Sequence, residues 1–100
     1  MNMRSKNIIQ TKLPKNQHSL VLYYLLNYTG FSLKDVINDS MFFKFQTRLS
    51  EIENEIGYKI AKRVKKKFIN RFKRKSKFNL YFLSLKDNEA NELFKKYNNE

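Results

Sequence analysis

Gly57-Tyr58-Lys59-Ile60-Ala61-Lys62-Arg63-Val64-Lys65-Lys66-Lys67 marks a change of period in this 100-residue chain. Before Gly57 the apolar residues fall three and four apart. Phe42, Phe45, Leu49, Ile52 and Ile56 form the stripe of an amphipathic helix over residues 41–56. After Gly57 the period is two. Tyr58, Ile60, Lys62 and Val64 share one face, and Lys59, Ala61, Arg63 and Lys65 the other. Further on, Phe78, Leu80 and Phe82 alternate with Asn79, Tyr81 and Leu83. Two strands therefore follow a helix. Gly57, free to take positive φ, is a sound stop between them. Residues 66–77 hold neither Gly nor Pro, which predicts a hairpin with a long or extended tip.

Upstream, Ser32-Leu33-Lys34-Asp35 is a capping-box pattern with Asp in place of Glu. It opens a short helix whose Leu33, Val36 and Ile37 face inward. Asn38-Asp39-Ser40 reads as a turn, with Asp39 or Ser40 capping the helix that starts at Met41. Residues 14–28 predict a first helix, begun by Pro14, striped by Val21, Leu22, Leu25, Leu26 and Tyr28, and ended by Gly30. Residues 1–13 lack acids and clear periodicity, so they are expected to form a flexible basic arm. Asp87 can cap a last helix over 88–97, with Ala90, Leu93, Phe94 and Tyr97 on its apolar side. The expected chain is α+β: an arm (1–13), a domain of three helices and a hairpin (14–86), and a C-terminal helix (87–100).

Charge locates the function. The net charge is +12, and residues 58–86 hold twelve Lys or Arg and no acid, so this segment carries the whole excess. Concentration of that kind marks a binding face for a polyanion, nucleic acid first and acidic membrane second. The chain has no cysteine and a single histidine, His18, read as a surface residue. Disulfides, thiolate metal sites and cysteine nucleophiles are excluded, and a metal site is not expected. Two glycines cannot build a phosphate-cradling loop. Glu51 and Glu55 lie one turn apart without the partners a catalytic pair needs. The expectation is a binding protein, not an enzyme, with no cofactor and no small-molecule substrate. The absence of a secretory signal and of a membrane span fits a cytoplasmic protein.

Ser32-Leu33-Lys34-Asp35-Val36-Ile37, then Thr47-Arg48-Leu49-Ser50-Glu51-Ile52, then Gly57-Tyr58-Lys59-Ile60 resemble the winged helix-turn-helix domains of bacteria and phages, over about residues 16–85. In those domains an Arg-Ile-Ser-Asp-Leu helix precedes a Gly-Tyr-x-Ile wing. The whole chain also resembles the small DNA-binding accessory proteins of clostridial conjugative plasmids. The resemblance implies a winged fold, sequence-specific binding of double-stranded DNA, and a place beside a relaxase at a plasmid transfer origin. The long Lys/Arg wing departs from the shorter wings of many members.

Two elements compete to contact DNA. In the usual docking mode the third helix enters the major groove, and its readers here are Lys44, Gln46, Thr47 and Arg48. Glu51, Glu53 and Glu55 oppose this by facing the phosphates with negative charge, and Arg48 has a nearby Glu to pair with. The wing supplies Lys62, Arg63, Lys65, Lys66, Lys67, Arg71, Lys73, Arg74, Lys75 and Lys77. Its arginines suit a narrow minor groove and its lysines suit phosphates. Arg4, Lys6 and Lys12 of the arm are further candidates. Phe68, Ile69, Phe72 and Phe78 are expected to pack on the core or across the hairpin; the alternative is exposed rings that stack on single-stranded bases. Other readings are a transcriptional regulator led by the third helix, an RNA-binding protein, and an interaction adaptor. In the last, Glu89 and Glu92, or Phe94 and Tyr97, meet a partner or a second copy in a homodimer.

Overall fold

The computed structural model describes residues 4–6, 10 and 12–99. It is α+β, with four helices and two antiparallel two-stranded sheets: β1 (Arg4–Ser5), α1 (Gln17–Asn27), β2 (Tyr28–Thr29), α2 (Leu33–Ser40), α3 (Phe45–Ile56), β3 (Ala61–Ile69), β4 (Lys75–Leu83) and α4 (Asp87–Tyr97). Among the described residues no helix is long and apolar enough to cross a membrane.

α1 starts later than Pro14. Asn16 caps it by accepting from the Ser19 amide at 2.8 Å, and the Ser19 hydroxyl accepts in return from the Asn16 amide. Its apolar residues Val21, Leu22, Leu25 and Leu26 are fully buried. They meet Val36 of α2, Leu49 and Ile52 of α3, and Ala90 and Phe94 of α4 in one core. Rings from five segments join this core. Phe45 stands edge-on to Tyr81 and to Phe31, with centroids 5.2 and 5.5 Å apart, and Tyr24 and Phe42 pack against the same ring.

Four boundaries differ from expectation. Asn38-Asp39-Ser40 is the last turn of α2, not a linker, because Met41 takes the left-handed conformation (φ 58°) and closes the helix on the Ile37 carbonyl. Asp39 accepts from the buried Tyr24 hydroxyl at 2.6 Å instead of capping α3, which starts only at Phe45. Gly30 does not end α1. It sits at φ 64° between β2 and Phe31, where Phe31 and Tyr81 bridge and bring the first sheet alongside β4. The hairpin tip is short, since β3 runs through Ile69 and β4 resumes at Lys75. Gly57 stops α3 at φ 86°, as its position predicts.

The described part of residues 1–13 is docked. Arg4 and Ser5 pair with Thr29 and Tyr28, and the Lys6 amide donates to the Asn27 carbonyl. Gln10 is buried, exchanging hydrogen bonds with Asn27 and donating to Asn91 of α4 at 2.6 Å. The flexible arm is corrected for these residues: paired backbone and a buried amide network fix them. Residues 1–3, 7–9 and 11 lie outside the described set. Nor is α4 an appendage. Phe94 is fully buried and Tyr97 packs beside it on the core, so the interaction surface expected from them is spent within the chain.

Candidate functional site

The hairpin takes up more than half of the molecule's longest dimension. Nine paired residues per strand span about 30 Å, and the molecule measures 48 × 27 × 22 Å. Register assigns the faces, because directly opposed residues share one. Ala61 faces Leu83, Arg63 faces Tyr81, Lys65 faces Asn79, Lys67 faces Lys77 and Ile69 faces Lys75. This odd-numbered face is core at its root, where Ala61 and Tyr81 are buried, and basic beyond it. On the even-numbered face Lys62 opposes Phe82, Val64 opposes Leu80, Lys66 opposes Phe78 and Phe68 opposes Ser76.

The tip owes its shape to Asn70. Its side-chain carbonyl accepts from the amides of Phe72 (2.9 Å) and Arg74 (3.1 Å), and its own amide donates to the Arg74 carbonyl. Lys73 then turns at φ 59°. The result displays Arg71, Lys73 and Arg74 at the far end, all exposed, with the Arg71 guanidinium 4.6 Å from the Phe72 ring centroid. Asn70 was not singled out by composition. Its signal was available: Asn is a turn former at the one place where the chain must reverse.

The root is built on Glu53, whose side chain is 2% exposed. Its Oε2 accepts from the Ile60 amide at 2.9 Å and its Oε1 from Arg63 Nη2 at 2.9 Å, with Lys59 Nζ at 3.7 Å. Burial pushes this carboxyl up, but the Arg63 guanidinium and the two strand amides outweigh it and hold the group below its ordinary value. Arg63 also donates to the Ala61 carbonyl. Two expectations are corrected here. Arg63 is not a free wing arginine, because a buried carboxylate requires it. Glu53 does not repel phosphates from the surface of α3, because its charge is neutralised inside.

Two of the four expected readers, Gln46 and Arg48, are engaged by other side chains. Gln46 accepts from the Tyr81 hydroxyl at 2.6 Å and donates to Ser50. Arg48 grips both carboxylate oxygens of Glu51 at 3.0 Å and donates to Gln17. His18 lies 2.8 Å from the same carboxylate. Hydrogen bonds from Arg48 first, and from His18, lower the Glu51 carboxyl from its ordinary value. Only Lys44 and Thr47 of the four are exposed. In the N-terminal segment, Lys6 reaches Asp87 at 3.8 Å, Lys12 is tied to Gln10 through its amide, and Arg4 is exposed on β1.

The remaining hairpin cations are different. Among the described residues, Lys62, Lys65, Lys66, Lys67, Arg71, Lys73, Arg74, Lys75 and Lys77 are all exposed, and no carboxylate lies within ion-pair distance of any of them. No group of three or more His, Cys, Asp or Glu among the described residues is placed to hold a metal ion.

No protein-family model, curated protein or solved structure matches this chain.

What the arrangement can do follows from its electrostatics. Lys67 and Lys77 stand directly opposite on one face, a like-charge pair that weakens the hairpin. A bound polyanion relieves this repulsion, and anything that binds only the folded hairpin also stabilises it. Lys77→Glu places a carboxylate opposite Lys67. Thermal stability is expected to rise by about 0.5 kcal/mol while affinity for a polyanion falls. Differential scanning fluorimetry and a binding titration on the same variant check the opposed signs.

Proposed function

We propose that this chain is a winged helix-turn-helix protein that binds double-stranded DNA chiefly through its hairpin, without catalysis. The single observation that carries the reading is the set of nine exposed hairpin cations that lack a carboxylate partner among the described residues. Each phosphate such a cation neutralises releases condensed counterions, so affinity accumulates with contacts and declines steeply with salt. The element order supports a winged fold: α2 and α3 are joined by a short turn, a hairpin follows α3, and the segment at Phe31 bridges to β4. By its resemblance to clostridial plasmid accessory proteins, the proposed process is origin processing in plasmid transfer, beside a relaxase.

A hairpin-centred mode is favoured over one led by α3 because Gln46 and Arg48 are held by Tyr81, Ser50, Glu51 and Gln17. Lys44→Ala with Arg48→Ala is accordingly expected to change duplex affinity by no more than about threefold. Electrophoretic titration on a panel of duplexes of differing sequence checks it. Loss of sequence preference in this variant, with hairpin variants neutral, would return α3 to first place. The same titration with structured RNA as competitor at fixed salt separates DNA from RNA binding: preference for RNA overturns the duplex reading.

A further inference from the structure

On the even-numbered face Phe68 and Phe78 pack across the hairpin, one of the two arrangements expected of them, and not on the core. Phe68 is 48% exposed and Phe78 38%, because strands of this length carry their outer halves past the reach of the body. Their rings touch each other edge-on, centroids 5.6 Å apart, and leave their other surfaces open. Together with Leu80, and with Leu33 of α2, they line a groove of about 890 Å³ between the hairpin and the start of α2. That volume lies within the range of ligand sites, about 300–1,000 Å³. Cations frame the apolar floor. Lys34 and Lys77 line the groove, and Lys66 stands directly opposite Phe78. The acid in the lining, Asp35, accepts from the Ser32 amide in the α2 capping box.

We infer that this face binds unpaired nucleotides, with bases stacked on Phe68 and Phe78 and phosphates met by Lys66 and Lys34. The alternation of ring and ammonium decides the occupant. An apolar protein surface covering Phe78 would strip water from the Lys66 ammonium beside it without supplying a counter-charge, which is costly. A single strand supplies a π-face for each ring and an anion for each lysine at once, and it does so for any base. Duplex DNA cannot, because its bases are stacked on one another. The stacking rings lie on the even-numbered face, whereas the duplex reading draws mainly on the odd-numbered lysines and the tip, with Lys66 common to both, so loss of the rings affects the single strand alone and one reading can fail without the other.

The test is fluorescence anisotropy with a labelled oligothymidylate, which forms no structure of its own, beside a duplex. Wild-type protein is expected to bind both. Phe68→Leu with Phe78→Leu keeps apolar area but removes both π-faces. It is expected to lose about tenfold or more in affinity for the single strand and to keep duplex affinity within about twofold. The inference is overturned by absence of wild-type binding to the single strand, by unchanged single-strand affinity in the variant, or by parallel loss of both ligands. Photocrosslinking of the wild-type protein to 5-iododeoxyuridine oligonucleotides needs no variant to fold. Adducts on Phe68 or Phe78 support the site; adducts confined to the tip, or sedimentation showing this face closed between two copies, overturn it.

Discussion

Arg71→Ala with Arg74→Ala is expected to reduce affinity for duplex DNA by at least about tenfold near 0.1 M salt, and to flatten the salt dependence. Both residues stand at the exposed tip with no carboxylate partner among the described residues, in a loop shaped by the Asn70 side chain. If each neutralises one phosphate, the slope of log affinity against log salt falls by about 0.9 per residue, so by about 1.8 in total. The fold is expected to be untouched, since neither side chain contributes to the core cluster. The like charges crowded on the hairpin make a small gain in thermal stability the more natural outcome. Filter binding at several salt concentrations measures affinity and slope together. Unchanged affinity and slope would remove the hairpin from the interface. Reduced affinity with an unchanged slope would mean that the arginines act on shape and not through phosphate contacts.

Glu53 carries the second large effect, on stability. Its carboxylate joins α3 to the first residues of β3 by accepting from two strand amides and the Arg63 guanidinium. Glu53→Gln leaves one amide acceptor but strips Arg63 of its counter-charge. A loss of about 3 kcal/mol is expected, a fall in Tm on the order of 15 °C for a chain of this size. The pH dependence fixes the mechanism. The native carboxyl titrates below its ordinary value, so its contribution is fully present above about pH 4.3, the unfolded value. It is lost as pH falls through the depressed native value. The stability gap between wild type and Glu53→Gln should therefore be constant from neutrality down to about pH 5 and narrow below pH 4. Urea melts at each pH give the gap directly. A gap independent of pH would mean that shape, and not charge, holds the root. Because this root orients the hairpin, the variant is also expected to bind DNA less tightly at temperatures where it is still folded.

Much of the architecture was legible in residue spacing. The 3-4-3-4 stripe of α3, the stop at Gly57 and the alternation after it are local signals, carried by neighbours in sequence. So is the confinement of the charge excess to residues 58–86. The interface itself was legible only in part. Arg63, Gln46 and Arg48 belong to the right residue types at the right places, yet each is held by a partner distant in sequence, on another element or one helical turn away. Glu53 gave no sequence sign of its role, because Ile60 and Arg63 lie seven and ten residues ahead, across a reversal of chain direction.

The sequence by itself determined the four helices and the hairpin, though not the β1–β2 pair, and that the cations gather on that hairpin, since these depend on period and composition along the chain. Only the tertiary structure decided which of those cations remain unpaired and which apolar residues remain uncovered. Phe78 and Phe82 read alike, on one face of an alternating strand. One is exposed and the other half-buried because burial depends on how far the body of the protein reaches along the hairpin, and that distance is set by the packing of α1, α3 and α4 and by no residue in the strand.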